Sequence, residues 1–180
     1  MSSDEDLALT FQAGDRAAFD TLFERYREPI WAFFRRRTAD PADAEELAQE
    51  TFLALLQASR RYEPRASFRS YLFGIAFNVL SVWRRKARRA PADAGGAAVD
   101  AVPAASADPA ATIWIRGALD ALDPADRDIL MLREYDALSY AEIAALVHVP
   151  VNTVRSRLFR ARLALRERLV GQPSDVGGRR

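Results

Sequence analysis

Cysteine is absent from the 180 residues, and histidine occurs once, as His148. Without thiols there is no disulfide framework, no thiolate metal site and no cysteine nucleophile. One imidazole cannot build a multi-histidine metal cage and argues against a histidine-dependent triad. Long apolar runs are missing too. Nothing approaches the roughly eighteen residues of a membrane-crossing helix, so no membrane insertion is expected. The start, Met1-Ser-Ser-Asp-Glu-Asp6, is acidic and lacks the basic region and apolar core of an export signal, which points to a cytoplasmic protein. No Gly-rich phosphate loop and no paired-carboxylate site is visible. The expectation is therefore a non-enzyme with no cofactor and no metal. Bulk composition is that of a globular protein, 49% hydrophobic and 28% charged, at a length that suits one ordinary domain or two small ones.

The net charge of +1 conceals strong segregation. Residues 1–50 carry twelve acids and six bases, whereas 51–90 carry nine bases against Glu63 alone. Residues 111–136 are again acidic, and 137–180 hold eight bases and three acids. Two basic surfaces suggest two contacts with a polyanion, and the acidic ones suggest a protein partner. Between them, residues 91–110 contain neither an aromatic nor a basic residue and are dominated by Pro, Gly, Ala and Asp. Such a stretch reads as a flexible linker between a module at 1–90 and another at 111–171, with a disordered tail at 172–180. Extended, about 20 residues span at most about 70 Å.

Both modules read as helical, so the fold class is all-α, two small helical domains. Ser2 or Ser3 can cap a short helix ending near Gly14, and Asp15 a longer one with Phe19, Leu22, Phe23, Tyr26, Ile30 and Phe33 at spacings of three and four. Pro29 predicts a kink or break in it. Asp40-Pro41 opens a helix over about 42–59 whose apolar stripe is Ala44, Leu47, Ala48, Phe52 and Leu55. Ser67 caps another running to about Arg89. Phe68, Tyr71, Leu72, Ile75, Val79 and Val82 form one face of it, with Phe73, Phe77 and Leu80 nearly opposite. Such a helix is either wholly buried or offers its second face to a partner. In the second module a helix spans about 112–121, and Asp123-Pro124 starts the next.

The most informative segment runs from Leu138 to Arg162. Ser139 and Glu142 form a capping box for a helix of about two turns. Val147-His-Val-Pro150 is a turn in which His148 takes a left-handed conformation. The helix after it buries Val154, Leu158, Ala161, Leu165 and Leu169 and turns Asn152, Ser156, Phe159 and Arg160 outward, with Arg155 and Arg157 on the flanks. This is the layout of a helix-turn-helix, whose second helix can enter a major groove. Arg can pair with guanine there and Asn with adenine, while further arginines neutralise phosphates.

Three stretches together resemble the sigma-70 family in its extracytoplasmic-function (group IV) subfamily. Asp43-Ala-Glu-Glu-Leu-Ala-Gln-Glu-Thr-Phe52 resembles the core-polymerase-binding helix of region 2. Phe68-Arg-Ser-Tyr-Leu-Phe-Gly-Ile-Ala-Phe-Asn78 resembles the promoter-melting and −10-reading segment. Thr153-Val-Arg-Ser-Arg-Leu-Phe-Arg-Ala-Arg162 is similar to the −35-reading helix of region 4. The resemblance implies a region 2 bundle and a region 4 helix-turn-helix. It implies core RNA polymerase and promoter DNA, duplex and single-stranded, as partners, with an anti-sigma factor as a further family expectation. On this basis Asp43, Glu45, Glu46, Gln49 and Glu50 would dock on polymerase. Tyr62, Phe68, Tyr71 and Asn78 would contact bases of the open −10 strand, and Arg60, Arg61, Arg65, Arg69, Arg84 and Arg85 its phosphates. Asn152, Thr153, Arg155, Ser156, Arg157, Phe159 and Arg160 would read the −35 duplex. Tyr71 stands where the family often has tryptophan, Ser81 replaces a common acid, and His148 and Asn152 replace common glycines. The competing expectation is a two-module regulator that binds duplex DNA without serving as a polymerase subunit.

Overall fold

A computed structural model describes residues 2–89 and 109–170, apart from the side chains of Arg61 and of residues 109–112. The expected linker from 91 onward, except its last two residues, and the tail at 172–180 lie outside the described residues. The chain divides into two compact units, Met1–Ala101 and Val102–Arg180. Every described element is helical.

The first unit is built from α1 (Asp4–Gln12), α2 (Arg16–Arg35), α3 (Pro41–Ala58), a 3-10 turn (Ser59–Arg61) and α4 (Phe68–Ala87). Each α-helix opens on a side chain that accepts from an otherwise orphaned first-turn N–H: Ser3, Asp15, Asp40 and Ser67. Ser3 and Asp6 complete a reciprocal capping box. The core lies where α2, α3 and α4 meet. Leu22, Ile30, Phe33 and Phe34 come from α2, Leu47, Phe52 and Leu55 from α3, and Leu72, Phe73 and Leu80 from α4, all buried. Each large side chain there contributes about 1.5–3 kcal/mol by leaving water. The Phe33 ring packs edge-on against Phe34 and Phe73, and the buried Arg37 guanidinium covers it at 3.8 Å while donating to the Phe33 carbonyl.

Two expectations are corrected here. The break expected at Pro29 is absent, and α2 continues through it as one helix. Proline deletes one bond of the ladder, but Tyr26 and Ile30 on either side of it are buried and hold the helix together. In α4 the buried residues are Phe68, Leu72, Phe73, Ala76, Val79 and Leu80. At about 100° per residue they fall within a single arc of about 140°. Phe73 and Leu80 are thus one edge of the core face, not a face opposite it. Tyr71, Ile75 and Val82, assigned to the main face, lie half-buried on the other edge.

The second unit comprises α5 (Pro109–Asp120), α6 (Pro124–Glu134), α7 (Tyr140–Val147) and α8 (Val151–Val170). Helix α5 begins before the expected position 112. Asp123 caps α6, its carboxylate accepting from Ala125 and Asp126, and the Ser139–Glu142 box caps α7. His148 ends α7 at φ 55°, ψ 47°. Ile129, Leu132, Leu138, Ile143, Val154 and Leu158 close the core between α6, α7 and α8. Leu165 and Leu169, expected in the α8 stripe, are only half-buried.

Candidate functional site

Three surfaces carry the chemistry. The first is the outer side of α3. Because Ala44, Leu47, Ala48, Thr51, Phe52 and Leu55 point into the core, Glu45, Glu46, Gln49 and Glu50 are exposed and Asp43 is half-buried at the edge. Partial burial, together with the charges of Asp40 and Glu46, raises the Asp43 carboxyl pKa above its ordinary value. Here acids crowd one another, and an approaching cation would relieve the repulsion. Beside them a groove of about 420 Å³ lies between α2 and α3, with Phe23, Trp31 and Phe52 as apolar lining and Arg27, Glu45 and Gln49 among its polar residues. Trp31 is 40% exposed and Leu53 59%. Sequence periodicity placed Phe23 in the core stripe and passed over Trp31, Leu53 and the groove. An exposed aromatic on an amphipathic helix has no signature until its neighbours are known.

The second surface is α4 and the loop before it. The structure separates the ten residues assigned here. Tyr62 and Phe68 are 4% and 2% exposed. Their rings pack against each other at 5.9 Å, Phe68 against Tyr26 at 5.6 Å and Tyr62 against Tyr71 at 5.0 Å. Both rings are core in this conformation, where their assignment as base contacts would have them open to a strand. Burial also raises the Tyr62 and Tyr71 phenol pKa values. Tyr71 is half-buried, its hydroxyl donating to the Ala58 carbonyl at 3.3 Å. Asn78 and Arg85 are exposed, and Tyr71, Asn78 and Arg85 follow one line along the helix at i, i+7 and i+14. Arg69 covers the Phe73 ring at 4.8 Å, and Arg84 is half-buried. Arg60 is exposed, and Arg65 is exposed and paired with Glu63. The Arg61 side chain is outside the described part.

Helix α1 holds this region in place, a role the sequence did not suggest. Gln12 Nε2 donates to the carbonyls of Ser59, Arg60 and Tyr62 at 3.1–3.2 Å, closing the C-terminal end of α3 and its 3-10 turn. Glu5 accepts from the Phe68 N–H at 2.8 Å, at the start of α4. Asp4 accepts from the Tyr26 hydroxyl and from Arg25, both at 2.5 Å.

The third surface is the N-terminal half of α8. Val154, Leu158 and Ala161 are buried, leaving Asn152, Arg155, Ser156, Phe159 and Arg160 exposed and Thr153 and Arg157 at the margins. Arg155 reaches back to Asn152 Oδ1 at 3.4 Å, and Ser156 donates its hydroxyl to the Thr153 carbonyl. Phe159, 69% exposed, lies one turn from the exposed Leu163. Arg160 points outward, as expected, and is also paired. Its Nε and Nη2 donate to Asp126 of α6 at 3.2 and 3.1 Å, with Arg157 Nε 3.9 Å from the same carboxylate. Arg162 is likewise paired with Glu134. Among the described residues no group of three metal-ligating side chains gathers, and no helix is long and apolar enough to cross a membrane.

Comparison with known proteins agrees with this layout. A Sigma-70 region 2 model matches residues 22–90, and a Sigma-70 region 4 model matches 112–165. The RNA polymerase sigma-H factor of Pseudomonas aeruginosa is 32% identical over 176 residues, covering 90% of this chain and 91% of its own. The ECF RNA polymerase sigma factor SigE of Mycolicibacterium smegmatis is 31% identical over 173 residues, 91% of this chain and 67% of the relative. Among solved structures, the sigma factor RpoE of Bartonella quintana, crystallised with the anti-sigma factor NepR, aligns with a TM-score of 0.73 at 25% identity, over 86% of this chain and 98% of that one. With both signature regions matched in order and relatives aligned over nearly the whole length, this chain belongs to the sigma-70 family of RNA polymerase sigma factors, in its extracytoplasmic-function subfamily.

Proposed function

We propose that the chain docks on core RNA polymerase through the acidic outer side of α3 and confers promoter-specific initiation on it. Asp43, Glu45, Glu46, Gln49 and Glu50 form the docking face. Ion pairs at the rim of such an interface speed encounter more than they tighten it, so the neighbouring apolar groove supplies the area that holds. Helix α8 reads the −35 duplex through Asn152, Arg155, Ser156, Phe159 and Arg160, with Thr153 and Arg157 at the margins. Tyr71 and Asn78 contact bases of the melted −10 strand, while Arg60, Arg61, Arg65, Arg69, Arg84 and Arg85 form the cationic track for its phosphates. Stacking on an aromatic ring contributes roughly 1–3 kcal/mol per base. Capture of the open strand then offsets the cost of unstacking, about a few kcal/mol per base. The chain performs no covalent chemistry of its own and works in the cytoplasm, where an anti-sigma protein occludes it.

The observation that carries this reading is an exposed acidic helix face and an exposed, Arg-bearing reading helix on one chain that matches both sigma regions. Run-off transcription with purified core polymerase tests it. The chain is expected to start transcripts from a subset of genomic fragments, and core alone is not. Changing Asp43, Glu46 and Glu50 together to Ala is expected to remove most of that activity while the chain stays folded. Undiminished activity would reject the docking face. Tight duplex binding without polymerase, and no transcripts with it, would favour a free-standing regulator.

A further inference from the structure

Asp126 stands in the first turn of α6, one of seven acids in residues 111–142 and, with Asp136, one of the two that are almost wholly withdrawn from water. A carboxylate so placed needs compensation. Part comes from the helix start, where the dipole favours an anion. The rest comes across the core from α8: two hydrogen bonds from Arg160 and the nearby Arg157 guanidinium. Arg160 itself remains 62% exposed. Two of its five N–H groups are taken by Asp126, so three stay available on the outer side. It lies on the line of Asn152 and Ser156, about 12 Å along α8 from Asn152.

We propose that Asp126 is a specificity-setting positioning residue for duplex recognition. Its carboxylate fixes one orientation of the Arg160 guanidinium and cancels cationic charge on the reading side of α8. A rotating arginine satisfies any phosphate or base edge within reach. A pinned one rewards only DNA whose acceptors fall where its remaining N–H groups point. The carboxylate also lowers the general attraction of α8 for the phosphate backbone, which carries no sequence information. Asp126 thus weakens indiscriminate binding and sharpens discrimination without touching DNA.

This inference rests on α8 being the duplex reader, and the test separates the two. The holoenzyme is titrated with a promoter fragment selected from genomic DNA by transcription, and with the same fragment scrambled at its upstream element. For Asp126→Asn, affinity for the scrambled fragment is expected to rise about 3–10-fold, the log–log salt slope to steepen by about 1, and discrimination to fall about 5-fold or more. Asp126→Glu restores discrimination in part. In an Arg160→Ala background the Asp126→Asn change moves scrambled-fragment affinity and discrimination by no more than about two-fold, because coupling vanishes when one partner is gone. Arg160→Lys keeps the charge but not the two-pronged pair. It lies on the surface and is expected to lower discrimination with the salt slope unchanged. The proposal is overturned if Asp126→Asn leaves slope and discrimination as they were, if it acts equally without Arg160, or if Arg160→Lys discriminates like the parent. Should Asn152→Ala and Arg155→Ala also leave discrimination untouched, the assignment of α8 as reader fails with it. If those two matter and Asp126 does not, only this inference falls.

Discussion

Single side chains set the pH limits of the first unit. The Tyr26 hydroxyl is raised well above the usual phenol range, first by burial and then by its bond to the Asp4 carboxylate, while Tyr62 and Tyr71 are raised by burial. All three stay protonated in the folded chain at pH values where the unfolded chain, near pKa 10, ionises. Their stabilising contribution is therefore complete below about pH 10 and is lost as pH rises beyond it. The urea midpoint is expected to fall between pH 9 and pH 11, and to fall less for Tyr26→Phe. At pH 8 the same substitution is expected to cost about 1.5–3 kcal/mol, the range for a hydrogen bond to a charged acceptor. His148 makes a different demand. At φ 55° its backbone occupies the left-handed region, which a β-branched side chain resists. His148→Val is expected to lower unfolding free energy by about 1–2 kcal/mol and His148→Gly to leave it level or slightly higher, as read by denaturant titration.

At the level of elements, the starts of helices were the most legible feature. Asp15, Asp40, Ser67, Asp123 and Ser139 were each expected as caps and each accepts a first-turn N–H, with Ser3 settling the choice left open at the N-terminus. Capping is local: donor and acceptor lie two or three residues apart, so the sequence shows both. The α3 acids and the α8 Asn152–Arg155–Ser156 surface were legible for a similar reason, because periodicity alone separates inner from outer positions. What failed to show were the long-range partners. Gln12 meets the Ser59–Tyr62 carbonyls from 47–50 residues away, and Asp126 meets Arg160 from 34 residues away. The burial of Tyr62 and Phe68 did not show either, because an aromatic beside arginines looks the same whether it faces a neighbouring helix or a nucleic acid. Gln12→Ala is expected to leave three carbonyls without that donor and to loosen the approach to α4. Open-complex formation, followed by permanganate footprinting, should fall several-fold, with retention on core polymerase unchanged.

For the molecule as a whole, the matter is how two units serve one promoter. The charge pattern gives each unit a basic surface, and the 19 residues from 90 to 108 set how far apart those surfaces can work. If residues 91–107 serve as the flexible linker their composition suggests, replacing them with a Gly/Ser segment of equal length is expected to change run-off transcription by less than about two-fold. Cutting the same segment to about five residues limits the span to less than about 20 Å. That should abolish initiation at promoters needing both elements.

If α4 holds the open strand as proposed, the line Tyr71–Asn78–Arg85 would act as a ruler. Its marks repeat every seven residues, about 10.5 Å along α4, whereas stacked nucleotides repeat every 3.4 Å or so. A ring, an amide and a guanidinium in register on a rigid rod would therefore sample a stacked strand at about every third position and pass over those between. Inserting one residue between Tyr71 and Asn78 would turn the later marks by about 100°. The strand would then be measured against the wrong side of the rod, though every reading side chain remained present.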